Sequence, residues 1–291
     1  MIKIGGIGFR FHPLFVLLML LSVMTGRLAE MTALFFIVLL HELAHLRTAL
    51  RFGWKIREVK LLPFGGVVET EEAGSVPVRE EALVALAGPA YNLLLSLAAW
   101  GLGQTALIDR LWADDFARAS ALIALFNMLP VLPLDGGRLL QCWLSMRVPY
   151  HRALLWSVRI SLVFSVLVSL GAIGPLFFGG LIHLNLLAIG LFLVASNWTY
   201  MRNLPFVFLR FLVRRSERSG IRIDEGALAQ PIVVARQRQL SHVVRLLMKE
   251  RYHLIYMMDQ GKISRVVPEG QIIDGFLGSL TEGHADFRFF M

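Results

Sequence analysis

Along the largely apolar run Met31-Thr32-Ala33-Leu34-Phe35-Phe36-Ile37-Val38-Leu39-Leu40, the chain turns to His41-Glu42-Leu43-Ala44-His45. Two imidazoles four positions apart lie on one face of a helix, where both can reach a single metal ion. The Glu beside the first stands close enough to act on water held by that ion. The run is long enough to help cross a bilayer, and an ionised residue at the centre of such a helix costs about 2.5 to 3.5 kcal/mol on insertion scales. Three titratable side chains within five residues therefore need compensation, and a shared metal supplies it. The segment constrains the chain to a bundle of membrane helices closed around a polar centre.

Composition agrees. Hydrophobic residues make up 56% of the 291 and charged ones 17%, with a mean hydropathy of +0.63, values foreign to a soluble domain and ordinary for a polytopic α-helical membrane protein. Six stretches are candidate spans: about 11–26, 29–50, 82–107, 116–133, 153–173 and 176–198. Residues 1–26 also have the outline of a signal peptide, but no small-residue cleavage site follows. Lys and Arg gather in alternate loops and in the tail, which predicts both termini on the cytoplasmic side. The net charge of +8 lies mostly on that face and is accounted for by topology and anionic lipid, without nucleic acid. Cys142 is the one cysteine, so an intramolecular disulfide and a Cys-rich metal site are both excluded.

The domain plan reads as a six-span membrane domain over 1–201, a basic juxtamembrane linker or surface helix over 202–222, and a small α/β domain over 223–291. In the last, 231–234 and 254–258 have strand character and 240–251 helical spacing. A core so small suggests pairing with a second copy. Between spans two and three, the stretch around Phe64-Gly65-Gly66 is too short to span and reads as a membrane-associated β-hairpin, whose edge can pair with an extended peptide. An interfacial loop is the competing reading of it.

Two His are too few for a catalytic zinc, which takes three protein ligands and an open position. Asp135 is the best third ligand: it follows the fourth span among helix breakers, and the topology gives it the depth of His41 and His45. Asn127 is placed to hold a substrate backbone or an oxyanion, and Pro133 with Gly136-Gly137 sets the bend that aims Asp135 inward. Asn127, Pro133, Phe64, Gly65 and Gly66 are the candidate substrate-binding residues. Gly88 and Pro89 read as packing and kinking residues of span three, and Asn92 as either a packing group or one facing the polar centre. His12, His151 and His183 read as interfacial or packing residues. The pattern describes peptide hydrolysis with Glu42 as general base; the alternative is a transporter or channel whose polar cavity happens to carry these residues.

His41-Glu42-Leu43-Ala44-His45, the Gly88-Pro89 and Asn92 group, and Asn127 through Pro133 to Asp135-Gly136 resemble, in order and spacing, the site-2 protease family of intramembrane zinc metalloproteases. Leu61-Leu62-Pro63-Phe64-Gly65-Gly66, Val68-Glu69 and the C-terminal domain extend the resemblance to the sporulation branch of that family over most of the chain. It implies a membrane-associated sigma-factor precursor as substrate, trimmed at its N-terminal pro-sequence in the outer forespore membrane. It also implies two inhibitory membrane partners and a cystathionine-β-synthase-type C-terminal module that binds ATP. Glu269 and Asp274 are the acidic candidates there for a ribose contact.

Overall fold

The structure is a computed structural model that describes residues 2–4, 7–11, 22–62, 65–70, 76–105, 107–224 and 228–281. The chain divides into two units, one taking in Met1–Ala73, Arg79–Leu129 and Leu134–Leu139, the other the remainder.

In the first unit, β1 (Ile2–Ile4) and β2 (Ile7–Phe11) form a hairpin, and α1 (Leu28–Arg51) carries the chain to β3 (Ile56–Leu62), which pairs parallel to β2. β4 (Gly65–Thr70) returns antiparallel to β3, giving a sheet ordered β1-β2-β3-β4. The expected hairpin is therefore present, with Leu61 opposite Gly66 and Leu62 opposite Gly65, although Phe64 lies outside the described residues. Neither the N-terminal strands nor the parallel crossover was expected from sequence, which reads residues from 11 onward as a first span; positions 12–21 lie outside the described residues.

α1 buries Ile37, His41, Glu42, His45, Leu46 and Ala49, a stripe with helical periodicity. It ends in a Schellman closure: Gly53 N–H donates to Leu50 and Trp54 N–H to Ala49, at 3.0 and 3.1 Å. Gly53 adopts φ +74°, which glycine alone takes without strain. The Trp54 indole then donates to Glu80 at 2.9 Å, tying the end of α1 to the start of α2 (Val78–Gly103). α3 (Arg110–Asn127) is capped by Asp109 and pinned to α2 through Ser96 to the Ala117 carbonyl and Ser120 to the Asn92 carbonyl, both 2.8 Å. After Asn127 the backbone leaves the helix and re-enters one at α4 (Asp135–Arg147).

The second unit is built on α5 (Tyr150–Ile173) and α6 (Leu184–Asp224), which pack against each other. Residues 202–222 are not a separate linker: α6 runs through them without a break, Pro205 included. Beyond it come β5 (Ala229–Ala235), a short α7 (Leu240–Val244), β6 (Tyr252–Asp259), β7 (Lys262–Pro268) and α8 (Glu269–Thr281). β5 lies parallel to β6, and β6 antiparallel to β7. The helix expected over 240–251 is shorter, and β7 and α8 are additional. One apolar core joins Tyr150, Leu154, Leu204, Phe208, Phe211 and Leu212 of α5 and α6 to Val244, Leu247, Ile255, Ile273 and Phe276 of the C-terminal module. The small module thus completes its core on the chain's own helices.

Four helices, Leu28–Arg51, Val78–Gly103, Tyr150–Leu176 and Leu184–Glu217, are long and apolar enough to cross a membrane among the described residues. The fourth expected span corresponds to α3, whose first half carries Arg110, Asp114, Asp115 and Arg118.

Candidate metal centre

The site lies within the first unit. His41 and His45 project from one face of α1, and the chain's return into α4 brings Asp135 to them, all three buried. The Nε2 atoms of the two imidazoles are 3.1 Å apart, and each is 3.1 Å from Asp135 Oδ2. Donors held about 2.0–2.2 Å from one tetrahedral ion stand a little over 3 Å from one another, so the triangle fits a zinc-sized ion with one face open. The structure thus brings together the three residues expected as ligands, Asp135 included.

Two backbone features make that triangle possible. A Cβ on Gly88 would overlap His45 Nε2 and stand 2.6 Å from His41 Nε2, so the helix facing the imidazoles can pass only as glycine. A Cβ on Gly136 would strike the carbonyls of Met128 and Leu129; its absence allows the tight return that starts α4 at Asp135. His45 Nδ1 donates to the Val84 carbonyl at 2.6 Å, which fixes the tautomer and leaves Nε2 free of its proton for an ion. Glu42, next to His41, is buried at 8% exposure. Asn127 closes α3 and its amide nitrogen donates to Ile123 at 3.0 Å, within its own helix.

Sequence reading missed the residues that hold the stretch before Asp135. In the second unit, Ser161 of α5 accepts from the Leu132 N–H at 2.9 Å, and Asn197 of α6 donates to the Leu132 carbonyl at 2.5 Å and to Leu193 at 2.9 Å. The signal was available: Ser157, Ser161 and Ser165 recur every fourth residue in an apolar helix, and all are fully buried, as is Asn197. Pro133, next in the chain, is exposed and follows a cis peptide bond. His151 is buried edge-on against Phe208, the packing role expected of it. The site offers paired donors for a hard-to-soft borderline cation and a carboxylate beside them, the arrangement of a hydrolytic metal centre.

Comparison with known proteins agrees with that chemistry. Residues 29–108, which carry both imidazoles and Gly88, match peptidase family M50. The chain carries a peptidase M50 domain of the site-2 protease kind, and it is a zinc metalloprotease of that family. It is 29% identical to stage IV sporulation protein FB of Bacillus subtilis over 265 residues, covering 91% of this chain and 90% of that one. A zinc metalloprotease of Methanocaldococcus jannaschii is 25% identical over 288 residues, covering 93% and 78%. Among solved structures, the site-2 protease from Methanocaldococcus jannaschii superposes with a TM-score of 0.56 at 25% identity, over 69% of this chain and 93% of that one. With its four apolar helices, the protein is an integral membrane protein.

Proposed function

We propose that this protein is an intramembrane protease that trims the N-terminal pro-sequence of a membrane-associated sigma-factor precursor during sporulation. The observation that carries the proteolytic reading is the buried triangle of His41 Nε2, His45 Nε2 and Asp135 Oδ2 with a carboxylate at position 42. The sporulation substrate rests on the match to stage IV sporulation protein FB over nine-tenths of both chains. A transporter cavity would not call for three converging donors, and that alternative is set aside.

His41, His45 and Asp135 would hold one Zn²⁺, which would supply Lewis acidity for the scissile carbonyl and lower the pKa of the attacking water. Glu42 takes the proton from that water and passes it to the departing amine as the peptide bond breaks. An extended substrate strand is required, because a helix hides its carbonyls. β4 suits this: it packs on α1 and, among the described residues, pairs only through β3, leaving one edge open for strand addition. Gly65 and Gly66 begin that strand and Phe64 precedes it. Asn127, whose amide nitrogen stays with its helix, offers its carbonyl oxygen to a substrate N–H, and Pro133 stiffens the approach to Asp135. Both termini face the mother-cell cytoplasm. The C-terminal module regulates capture in the manner of a cystathionine-β-synthase-type domain, while membrane partners hold the enzyme off.

Glu269 is no ribose ligand. It is 2% exposed and bound by Arg215 and His253, while Asp274 accepts from Ser216 at 2.5 Å. Co-expression of a tagged precursor with wild type and with Glu42→Gln tests the proposal. Cleavage by wild type alone is expected; equal processing by Glu42→Gln would refute the mechanism, and a precursor left intact by active wild type would refute the substrate.

A further inference from the structure

The two ligating imidazoles are not equally supported. His45 has its second nitrogen on the Val84 carbonyl at 2.6 Å, whereas His41 Nδ1, in a side chain 3% exposed, has no hydrogen-bond partner among the described residues. A metal-ligating imidazole ordinarily donates its other N–H to a carbonyl or carboxylate that sets its rotation and tautomer. One polar side chain in the same helical register is equally unsatisfied. Asn92 is fully buried, and neither its amide oxygen nor its amide nitrogen has a partner among the described residues, while its backbone carbonyl is engaged by Ser120. Buried polar atoms left open in this way are rare in native interiors.

Register brings the two together. Val84, Gly88 and Asn92 fall four apart on one face of α2. Val84 meets His45, and Gly88 meets His45 and His41 together, so the next turn, with Asn92, stands on the His41 side. The ring presents its Nε2–Cε1 edge to Gly88, those atoms standing 2.6 and 2.7 Å from the position of a Cβ there.

We propose that Asn92 is a positioning residue that accepts the Nδ1–H of His41 through one buried water, and so fixes the imidazole that completes the metal triangle. This rests on the reading that His41, His45 and Asp135 hold zinc. It assigns Asn92 neither substrate nor reacting atoms; it acts through His41.

The test is made on full-length protein in detergent, by competitive Zn²⁺ titration and by the absorption spectrum of the Co²⁺-substituted form, so that cleavage is not needed to read it. Asn92→Leu, which keeps volume and removes the acceptor, is expected to weaken Zn²⁺ binding by about 10–100-fold and to shift the Co²⁺ bands. Asn92→Asp, which keeps an acceptor, is expected to stay within about threefold of wild type with an unshifted spectrum. Leucine binding as wild type does, or aspartate failing as leucine does, overturns the proposal. If the leucine variant does not fold, Asn92→Ala must show the same loss, and alanine at wild-type affinity overturns it too. A wild-type protein that binds no Zn²⁺ would instead bring down the underlying metal reading.

Discussion

Gly88 bears on the metal as directly as the ligands do, because it lets α2 lie against both ligating nitrogens. Gly88→Ala is therefore expected to lower metal affinity by at least about tenfold while leaving the helix intact, since alanine is the better helix former. Metal analysis beside circular dichroism checks this, and full zinc content in the alanine variant would contradict it. Asn197→Leu removes the amide that holds the Leu132 carbonyl, leaving a buried acceptor short of a bond at a cost of about 1–3 kcal/mol. The His-Glu-x-x-His spacing was legible because helical geometry places it, and Asp135 because the order of spans gives it the same depth. Ser161 and Asn197 were not, because the serine spacing marks a polar stripe on α5 but does not identify its partner, a backbone segment distant in sequence.

At the scale of elements, the C-terminal module is anchored by one buried ion pair. Arg215 of α6 meets Glu269 at the start of α8 through two bonds of 2.8 and 2.9 Å, and also donates to the Met248, Lys249 and Arg251 carbonyls, while His253 holds the same carboxylate through its ring and N–H. Arg215→Ala strands a buried carboxylate and is expected to destabilise the module by about 3–5 kcal/mol, read from chemical denaturation. Burial alone would raise the Glu269 carboxyl, but bonds from His253 and Arg215 and the Arg215 charge outweigh it and hold the group below its ordinary 4.5. A lowered folded value means the stabilisation is complete above pH 4.5 and is lost as pH falls through the folded value. Melts from pH 7 downward should show wild type losing stability on the acid side of 4.5 and Glu269→Gln lacking that slope; parallel slopes would contradict the assignment. The continuity of α6 escaped sequence reading because its arginines suggested a surface helix. Leu204, Phe208, Phe211 and Leu212, spaced four, three and one apart, keep the apolar stripe running through them. The shared core follows from that stripe. Removal of 223–291 uncovers Phe208 and Leu212, and the truncated protein is expected to melt lower while keeping its zinc, whose ligands all lie in the first unit.

For the whole molecule, the class was readable from hydropathy and the candidate site from residues 41–45 together with Asp135, while strand pairing was not. β2 and β3 meet across the whole of α1, and a parallel partner so distant leaves no local trace. The hairpin and the strand that begins the C-terminal module were visible because Gly-Gly and β-branched runs are local signals. The two units are a membrane helix pair with a candidate metal centre and helices carrying a small α/β module. The proteolytic account stands on one zinc held by three named side chains. The measurement that tests it most directly is zinc per chain in purified wild type, His45→Ala and Asp135→Ala, with Glu42→Gln as the control that spares the ligands. One zinc in wild type and Glu42→Gln, with little in the other two, is the predicted result. Undiminished zinc in His45→Ala or Asp135→Ala would place the metal elsewhere and contradict the account.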